Sequence, residues 1–181
     1  MNKLFLSKIL LFIAILVLAL LLWNCEKDDI CDPNTPTTPR LIIGFYDVNE
    51  PDEPKSATLE VVADNITDAE ILRFSSATEI EIPLDITQDY VRYKFTLNAG
   101  STNPDLIYSD IIEFNYSRTT TYVSRACGFK ITFDLNNDVD LPSPFVLNFN
   151  PAVVPGAWIK NITVENYNIE NETDQHVQIF F

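Results

Sequence analysis

From residue 41 onward, apolar and polar side chains alternate with a period of two, which indicates β-strands rather than helices. The alternation is clearest in residues 79–86, 91–97 and 129–135. Turn-forming residues interrupt it about every 8–15 residues, which divides this part of the chain into roughly ten short strands. We therefore predict an all-β fold, an antiparallel β-sandwich that is either immunoglobulin-like or a partly open barrel.

Individual segments refine this prediction. Residues 41–46 are apolar on both faces of a strand, which is typical of a central strand covered on both sides. Pro83 cannot donate a ladder hydrogen bond, so its segment is expected to be an edge strand or to contain a bulge. We interpret residues 158–169 as a long strand or a bent pair, with Trp158 as a core aromatic.

One segment has a helical pattern. Thr67 and Glu70 have the spacing of a capping box, and residues 67–74 are long enough for two helical turns. A short turn before the next strand is the alternative interpretation.

The N-terminal segment has the pattern of a secretory signal peptide. Lys3 and Lys8 provide a basic start, and residues 9–23 are continuously apolar. A helix of that length rises only about 22 Å, less than the roughly 30 Å of a bilayer core. Residues 1–24 are therefore predicted to be a signal peptide.

The cysteine that follows this segment resembles the lipidated cysteine of bacterial lipoproteins. Leu22 and Cys25 match the first and last positions of the lipobox, while Trp23 and Asn24 occupy its two small-residue positions. The resemblance implies cleavage before Cys25 and attachment of diacylglycerol to it. The alternatives are an uncleaved N-terminal anchor, or a secreted protein in which Cys25 has no role.

The residues after Cys25 resemble a surface-export signal. Lys27, Asp28 and Asp29 match the lysine-and-acid pattern of surface-exported lipoproteins of the Bacteroidetes type. The longer pattern Cys-x-Lys-Asp-Asp-Ile-Cys is similar to an uncharacterised lipoprotein family of that group. Further similarities lie at residues 33–39, 45–47, 83–84 and 124–129. The resemblance implies an outer-membrane protein that faces the cell exterior rather than the periplasm, and it implies no activity.

The sequence contains three cysteines. If the lipid occupies Cys25, Cys31 and Cys127 remain as an even pair in an oxidising compartment, and we predict a disulfide between them. Two free thiols, or an intermolecular bridge from Cys31, are the alternatives. The disulfide would leave five residues between lipid and bridge, a reach of about 20 Å. Residues 25–39 are then a lipidated N-terminus with a Pro/Thr connector, and residues 40–181 are the sandwich domain.

The charge of the chain limits its partners. Asp and Glu number 26 against 12 Lys and Arg, a formal net charge of −14. Nucleic acids and anionic membrane surfaces both favour basic proteins, so neither is an expected partner.

Catalytic motifs are absent from the sequence. It has one histidine, His176, and no nucleophile elbow, zinc-protease motif or phosphate-binding glycine loop. Glu79 and Glu81 could form the carboxylate pair of a glycosidase, but they lie on the polar side of a predicted edge strand. We therefore expect solvated surface at this pair, and a protein that is not an enzyme.

A weak metal-site candidate lies in residues 134–140. Asp134, Asn136, Asp138 and Asp140 place oxygen ligands at alternating positions, as in the first half of an EF-hand loop. Val139 stands where that loop requires glycine, and Phe145 where it requires glutamate. The same residues suit an ordinary hairpin turn, so we expect no cofactor, with calcium as the alternative.

These features predict a lipid-anchored envelope lipoprotein whose sandwich binds or scaffolds an envelope protein or glycan near the outer membrane. The alternative is a carboxylate-based glycan hydrolase or a glycan-binding accessory protein. That alternative predicts a groove lined by exposed aromatic side chains beside acidic residues, with Tyr90, Tyr108 and Tyr122 as the candidate aromatics.

Overall fold

The computed structural model describes residues 7–9, 11–13, 16, 30–33, 35, 37–149 and 156–181. Residues 7–9, 11–13 and 16 are helical and fall within the predicted signal peptide. In the described part of the chain, no helix has both the length and the apolar character needed to cross a membrane.

Eleven strands form the sheets of the described region. They are β1 (Leu41–Tyr46), β2 (Ala57–Ala63), β3 (Ile71–Ala77), β4 (Glu79–Ile82), β5 (Tyr90–Leu97), β6 (Tyr108–Ser124), β7 (Gly128–Leu135), β8 (Phe145–Leu147), β9 (Asn161–Val164), β10 (Asn168–Ile169) and β11 (Val177–Phe180). A short 3-10 helix, Pro104–Leu106, separates β5 from β6, and the Asn103 side chain caps it.

The strands form two sheets that pack as a sandwich. The first sheet has the order β4-β1-β11-β9, and the second has the order β10-β7-β6-β5-β2-β3 with β8 beside β6. In the described part of the chain neither sheet closes into a barrel, and the predicted β-sandwich is confirmed. β1 and β11 depart from antiparallel pairing: they run parallel, with Ile43 opposite Val177.

The core follows the alternation of the sequence. Leu59 and Val61 of β2 are buried, as are Val91, Tyr93 and Phe95 of β5, and the residues between them are more exposed. β1 lies between β4 and β11 with its first five residues buried, which confirms the predicted central strand. Burial of one face of each sheet is the main favourable contribution to the stability of such a sandwich.

Trp158 is a core residue, as predicted. Its side chain is buried, and its ring centroid lies 5.2 Å from that of Phe181 and 6.5 Å from that of Phe45. The indole Nε1 donates a hydrogen bond to the carbonyl oxygen of Phe95, at 3.3 Å. This bond satisfies the one polar atom of the side chain inside an apolar core.

The helix predicted at residues 67–74 is wrong. Asp68 has a left-handed φ of 57°, which a right-handed helix excludes, and β3 begins at Ile71. β3 pairs with β2, and Leu59 lies opposite Phe74. A helix of two turns is marginal in isolation, so the ladder bonds to β2 determine the conformation. The alternative, a turn before the next strand, is correct.

Two strand boundaries differ from the simplest interpretation of the alternation. β4 is an edge strand, as Pro83 predicted, but it ends at Ile82, and Ile86 beyond it is exposed. β6 is a single strand of 17 residues. Residues 158–169 form a bent pair, one of the two predicted arrangements, and its strands β9 and β10 belong to different sheets.

The predicted disulfide is present. The chain divides into two compact units, Met1–Thr35 with Val123–Gly128, and Pro36–Tyr122 with Phe129–Phe181. Cys31 and Cys127 both belong to the first unit, and their Cα atoms are 4.9 Å apart. The bond joins residues 96 positions apart in the sequence, so it restricts a long loop of the unfolded chain.

Reduction of this disulfide is expected to lower the free energy of unfolding by about 3–5 kcal/mol, because the reduced unfolded chain regains the entropy of the open loop. Urea unfolding followed by tryptophan fluorescence, with and without reductant, measures the difference. The double variant Cys31→Ser/Cys127→Ser is the control and should give the same curve in both conditions. Equal midpoints for the oxidised and reduced wild-type protein would contradict the expectation.

Candidate functional site

A cleft of about 520 Å³ opens where β5 begins beside β6, at the cross-strand pair of Tyr90 and Asn115. Leu141 and Pro142, from the loop after β7, form an apolar part of its wall. Polar and aromatic residues form the rest of the lining: Asp89, Tyr90, Asn115, Tyr116, Ser117, Arg118 and Asn136.

One wall of the cleft is the segment 136–144, which we name the cleft loop. Its two ends bond the same residue of β6. The Asn136 N–H donates to the Asn115 carbonyl oxygen at 3.1 Å, and the Asn115 N–H donates to the Pro144 carbonyl oxygen at 2.9 Å. The cleft loop connects β7 to β8, and both of these strands pair with β6. β6 therefore holds both ends of the loop.

Two buried asparagine side chains fix the loop further. The Asn115 amide nitrogen donates to the Ser143 carbonyl oxygen at 2.9 Å, and that of Asn136 donates to the Pro142 carbonyl oxygen at 3.2 Å. Among the residues that the structure describes, none donates to the Oδ1 atom of either side chain. Because each nitrogen faces the loop, each cleft residue retains an amide oxygen that can accept a hydrogen bond from a ligand.

An ion pair forms the charged part of the lining. The Arg118 Nε atom donates to the Asp89 carboxylate at 2.7 Å, and Arg118 Nη1 donates to the carbonyl oxygen of Ile86. The arginine is partly buried and the aspartate largely exposed. The guanidinium group is thus held in one position, and its charge is matched by a carboxylate in direct contact.

The candidate metal ligands do not converge in the structure. Asp134 lies in β7 opposite Asn168, and the Asn136 amide bonds within the cleft loop. The Asp138 carboxylate accepts a hydrogen bond from the Asp140 N–H at 3.1 Å, an Asx turn. Within the described residues, no group of three His, Cys, Asp or Glu side chains is placed to hold a metal ion. The segment is not a simple hairpin either, because β7 and β8 both pair with β6.

The two carboxylates of the candidate pair, Glu79 and Glu81, each contact a polar side chain from another part of the chain. Glu79 accepts a hydrogen bond from the Gln175 amide at 2.6 Å, and Glu81 lies 3.5 Å from the Arg40 guanidinium. Both glutamates are exposed on β4, the edge strand. With Arg40, Phe74 and Ile80 they line a smaller pocket of about 270 Å³.

The three candidate tyrosines are separated in the structure. Tyr90 lines the cleft beside Asp89. Tyr108 and Tyr122 are exposed but are not part of the cleft lining. The predicted lipidation and export residues, Cys25, Lys27, Asp28 and Asp29, lie outside the described residues.

Asp110 is a buried carboxylate that we did not identify from the sequence. It accepts hydrogen bonds from the Asn148 side chain at 2.7 Å and from the backbone N–H groups of Ala157, Trp158 and Ile159 at 2.7, 2.9 and 3.0 Å. Burial by itself raises the pKa of this carboxyl, but the four hydrogen bonds outweigh that effect and hold its pKa below the ordinary value. Asp110 joins segment 156–159 to β6 and is not free to act as a catalytic acid.

The position of Asp110 explains one glycine and shows which sequence signal was missed. A side chain at Gly156 would collide with the Asp110 carboxylate, so the close approach requires glycine. Asp110 occupies the inward phase of β6, which Ile112, Phe114 and Tyr116 continue. A charged residue in that phase indicates a buried carboxylate with backbone donors around it.

Asp110→Asn is expected to lower the free energy of unfolding by about 2–4 kcal/mol, because the amide presents N–H groups to N–H donors. The lowered pKa contributes stability above the ordinary pKa of 3.8 that is lost as the pH falls through the folded value, and the variant should lack this loss. Urea unfolding at neutral and acidic pH measures both effects. Asp105→Asn, at an exposed carboxylate, is the control. Equal stability of the two variants would contradict this role.

His176 is also buried. Its Nδ1 atom accepts a hydrogen bond from the Ile42 N–H at 3.0 Å, and the His176 backbone N–H donates to the Ile42 carbonyl oxygen at 3.1 Å. Nε2 has no partner among the described residues. Burial lowers the pKa of the imidazole, and nearby Asp174 only partly opposes this effect. The ring is therefore neutral and cannot reach a substrate.

His176→Asn is expected to remove part of the acid sensitivity of the fold. The unfolded chain binds a proton near the ordinary pKa of 6.5, whereas the folded chain binds it only at lower pH. Stability from this residue is therefore full above pH 6.5 and decreases as the pH falls through the lowered folded value. Urea midpoints measured at intervals below pH 6.5 should fall more steeply for wild type than for the variant. Parallel pH profiles would contradict this account.

The comparisons with known proteins identify the family. The chain belongs to a family of unknown function, DUF6452, whose family model matches residues 58–181. The match begins in β2 and includes every residue of the cleft lining. No curated protein and no solved structure matches the chain.

Proposed function

We propose that this protein is a lipid-anchored lipoprotein of the outer membrane, displayed at the cell surface, whose sandwich is a non-enzymatic binding or scaffolding module. The sequence of the N-terminal segment supports this proposed location. It combines an apolar stretch at residues 9–23 with Cys25 and the acidic and basic residues Lys27, Asp28 and Asp29.

The disulfide is the observation that carries the anchoring proposal. The sequence has three cysteines, and the bridge uses Cys31 and Cys127. Cys25 is the one that remains, and it lies two residues after the end of the apolar segment, where a lipoprotein signal has its lipidated residue. A disulfide also suits the oxidising compartment outside the inner membrane.

The cleft supports binding rather than catalysis. Its asparagine amides and the Arg118 guanidinium are fixed by hydrogen bonds, which lowers the entropic cost of binding a ligand. Among the described residues that line it, Asp89 carries the one carboxylate, and that group is paired with Arg118. Hydrolysis of a glycan by carboxylates requires two, one as acid and one as base or nucleophile.

A glycan-binding accessory protein is the second candidate function, and Tyr90 is the observation that favours it. This residue is 37% exposed and lines the cleft next to Asp89. An aromatic ring beside hydrogen-bonding groups provides both contacts that a sugar offers, an apolar face and hydroxyl groups.

The anchoring proposal predicts three outcomes when intact cells of a Bacteroidetes host are treated with protease. The wild-type domain should be degraded from outside. A Lys27→Ala/Asp28→Ala/Asp29→Ala variant should remain in the membrane fraction but be protected, because it lacks the export signal. A Cys25→Ser variant should be lost from the membrane fraction, because it has no thiol to receive the lipid.

A periplasmic protein that stays intact serves as the control for cell integrity. Membrane retention of Cys25→Ser at the wild-type level would contradict the lipid anchor. Protection of the wild-type domain would contradict surface display.

A further inference from the structure

We propose that the cleft at Tyr90 and Asn115 binds a neutral saccharide, as one segment of an oligosaccharide chain. This inference rests on the proposed binding function and names its ligand class. The argument uses the charge of the cleft, its hydrogen-bonding groups and its aromatic surface.

The charge of the cleft favours a neutral ligand. Its lining contains one cation, Arg118, and one anion, Asp89, in direct contact at 2.7 Å. The Arg118 charge is therefore compensated before any ligand arrives, and the chain as a whole carries a net charge of −14. An anionic ligand would have to compete with Asp89 for the guanidinium and approach against that negative field.

The hydrogen-bonding groups of the cleft match sugar hydroxyls, which both donate and accept. The Oδ1 atoms of Asn115 and Asn136 are acceptors, since their amide nitrogens bond the cleft loop. The exposed hydroxyl of Ser117 donates or accepts, and the Arg118 guanidinium donates. A buried amide that recognises a hydroxyl discriminates strongly against ligands that lack it, because the amide would then remain unpaired.

The aromatic surface of the cleft matches the apolar face of a sugar ring. Tyr90 lies across the β5–β6 ladder from Asn115, and its side chain is partly exposed. Leu141 adds an exposed apolar side chain to the lining. A sugar stacked on Tyr90 would bury its C–H groups there and direct its hydroxyls to the asparagines.

A second exposed ring extends this surface along the outer face of β5. Arg92 follows Tyr90 on the same face, at a spacing of about 7 Å for two strand residues. Its guanidinium lies 4.6 Å from the ring centroid of Phe149, which is 58% exposed. Glu113, the cross-strand partner of Arg92, pairs with it at 2.7 Å and compensates its charge. Beyond the cleft, the surface thus again combines an exposed aromatic ring with a compensated ion pair. This continuation favours an oligosaccharide over a monosaccharide as the ligand.

The test is affinity electrophoresis of the full-length protein in a detergent without a sugar headgroup. Each native gel contains one polysaccharide. The neutral ones are dextran, mannan and xylan, and the acidic ones are polygalacturonate and heparin. We expect at least one neutral polysaccharide to retard the wild-type protein, and the acidic ones to leave its mobility unchanged.

Tyr90→Ala should weaken the retardation by about tenfold or more in apparent Kd, as removal of a central aromatic contact does. Tyr108→Ala is the matched control, since Tyr108 is also an exposed tyrosine that begins a strand, but it lies outside the cleft lining. It should bind as the wild type does. Melting temperatures of both variants equal to that of the wild type show that neither change acts through stability.

Asp89→Asn tests the charge argument separately. The substitution keeps an oxygen that can accept from Arg118 Nε but removes the compensating charge. The variant should therefore gain retardation by polygalacturonate or heparin, at least about threefold over wild type, with stronger gains at low salt. Phe149→Ala should weaken binding of a long oligosaccharide more than that of a disaccharide from the same polymer.

Retardation of the wild type by acidic polysaccharides alone, or by none of the polymers, overturns the inference. Equal loss of binding in Tyr90→Ala and Tyr108→Ala also overturns it, because the ligand would then not occupy this cleft. None of these results affects the lipid anchor or surface display, which the protease experiment tests independently.

Discussion

The architecture of the cleft depends on two hydrogen bonds from the backbone of Asn115. Its carbonyl accepts from Asn136, and its N–H donates to Pro144, so one residue of β6 holds both ends of the cleft loop. Across the sheet, Asn115 lies opposite Tyr90. The loop wall, the amide oxygens and the tyrosine ring are therefore positioned by one strand, which is itself held on both sides by β5, β7 and β8.

The two buried polar groups that most resemble catalytic residues serve the fold. Asp110 receives four hydrogen bonds that join segment 156–159 to β6, and His176 bonds both backbone groups of Ile42. The hydrogen bonds to Asp110 favour its ionised form, and burial favours the neutral form of His176. Neither side chain is exposed. Burial with satisfied partners stabilises the sandwich but leaves these groups unable to contact a substrate.

The alternation of the sequence was sufficient to predict most of the strands and the sandwich, and assignment of the lipid to Cys25 left Cys31 and Cys127 as the predicted disulfide pair. Contacts between distant residues decided the rest. The capping-box pattern at Thr67 was overridden by the pairing of β3 with β2. Tyr90, Tyr108 and Tyr122 look alike in sequence, and only the three-dimensional fold places Tyr90 in a cleft. The oxygen-rich segment at 134–140 gave no sign that both ends of the cleft loop would bond Asn115.

The central claim is that β6 holds the cleft in its binding shape before any ligand arrives, and amide hydrogen exchange of the full-length protein tests it most directly. The Asn136 N–H, bonded to Asn115, should exchange at least about a hundredfold more slowly than the N–H of exposed Val139 in the same loop. The Asn115 N–H should be protected to a similar degree. Exchange at Asn136 as fast as at Val139 would show that the loop opens freely, and would contradict a preformed cleft.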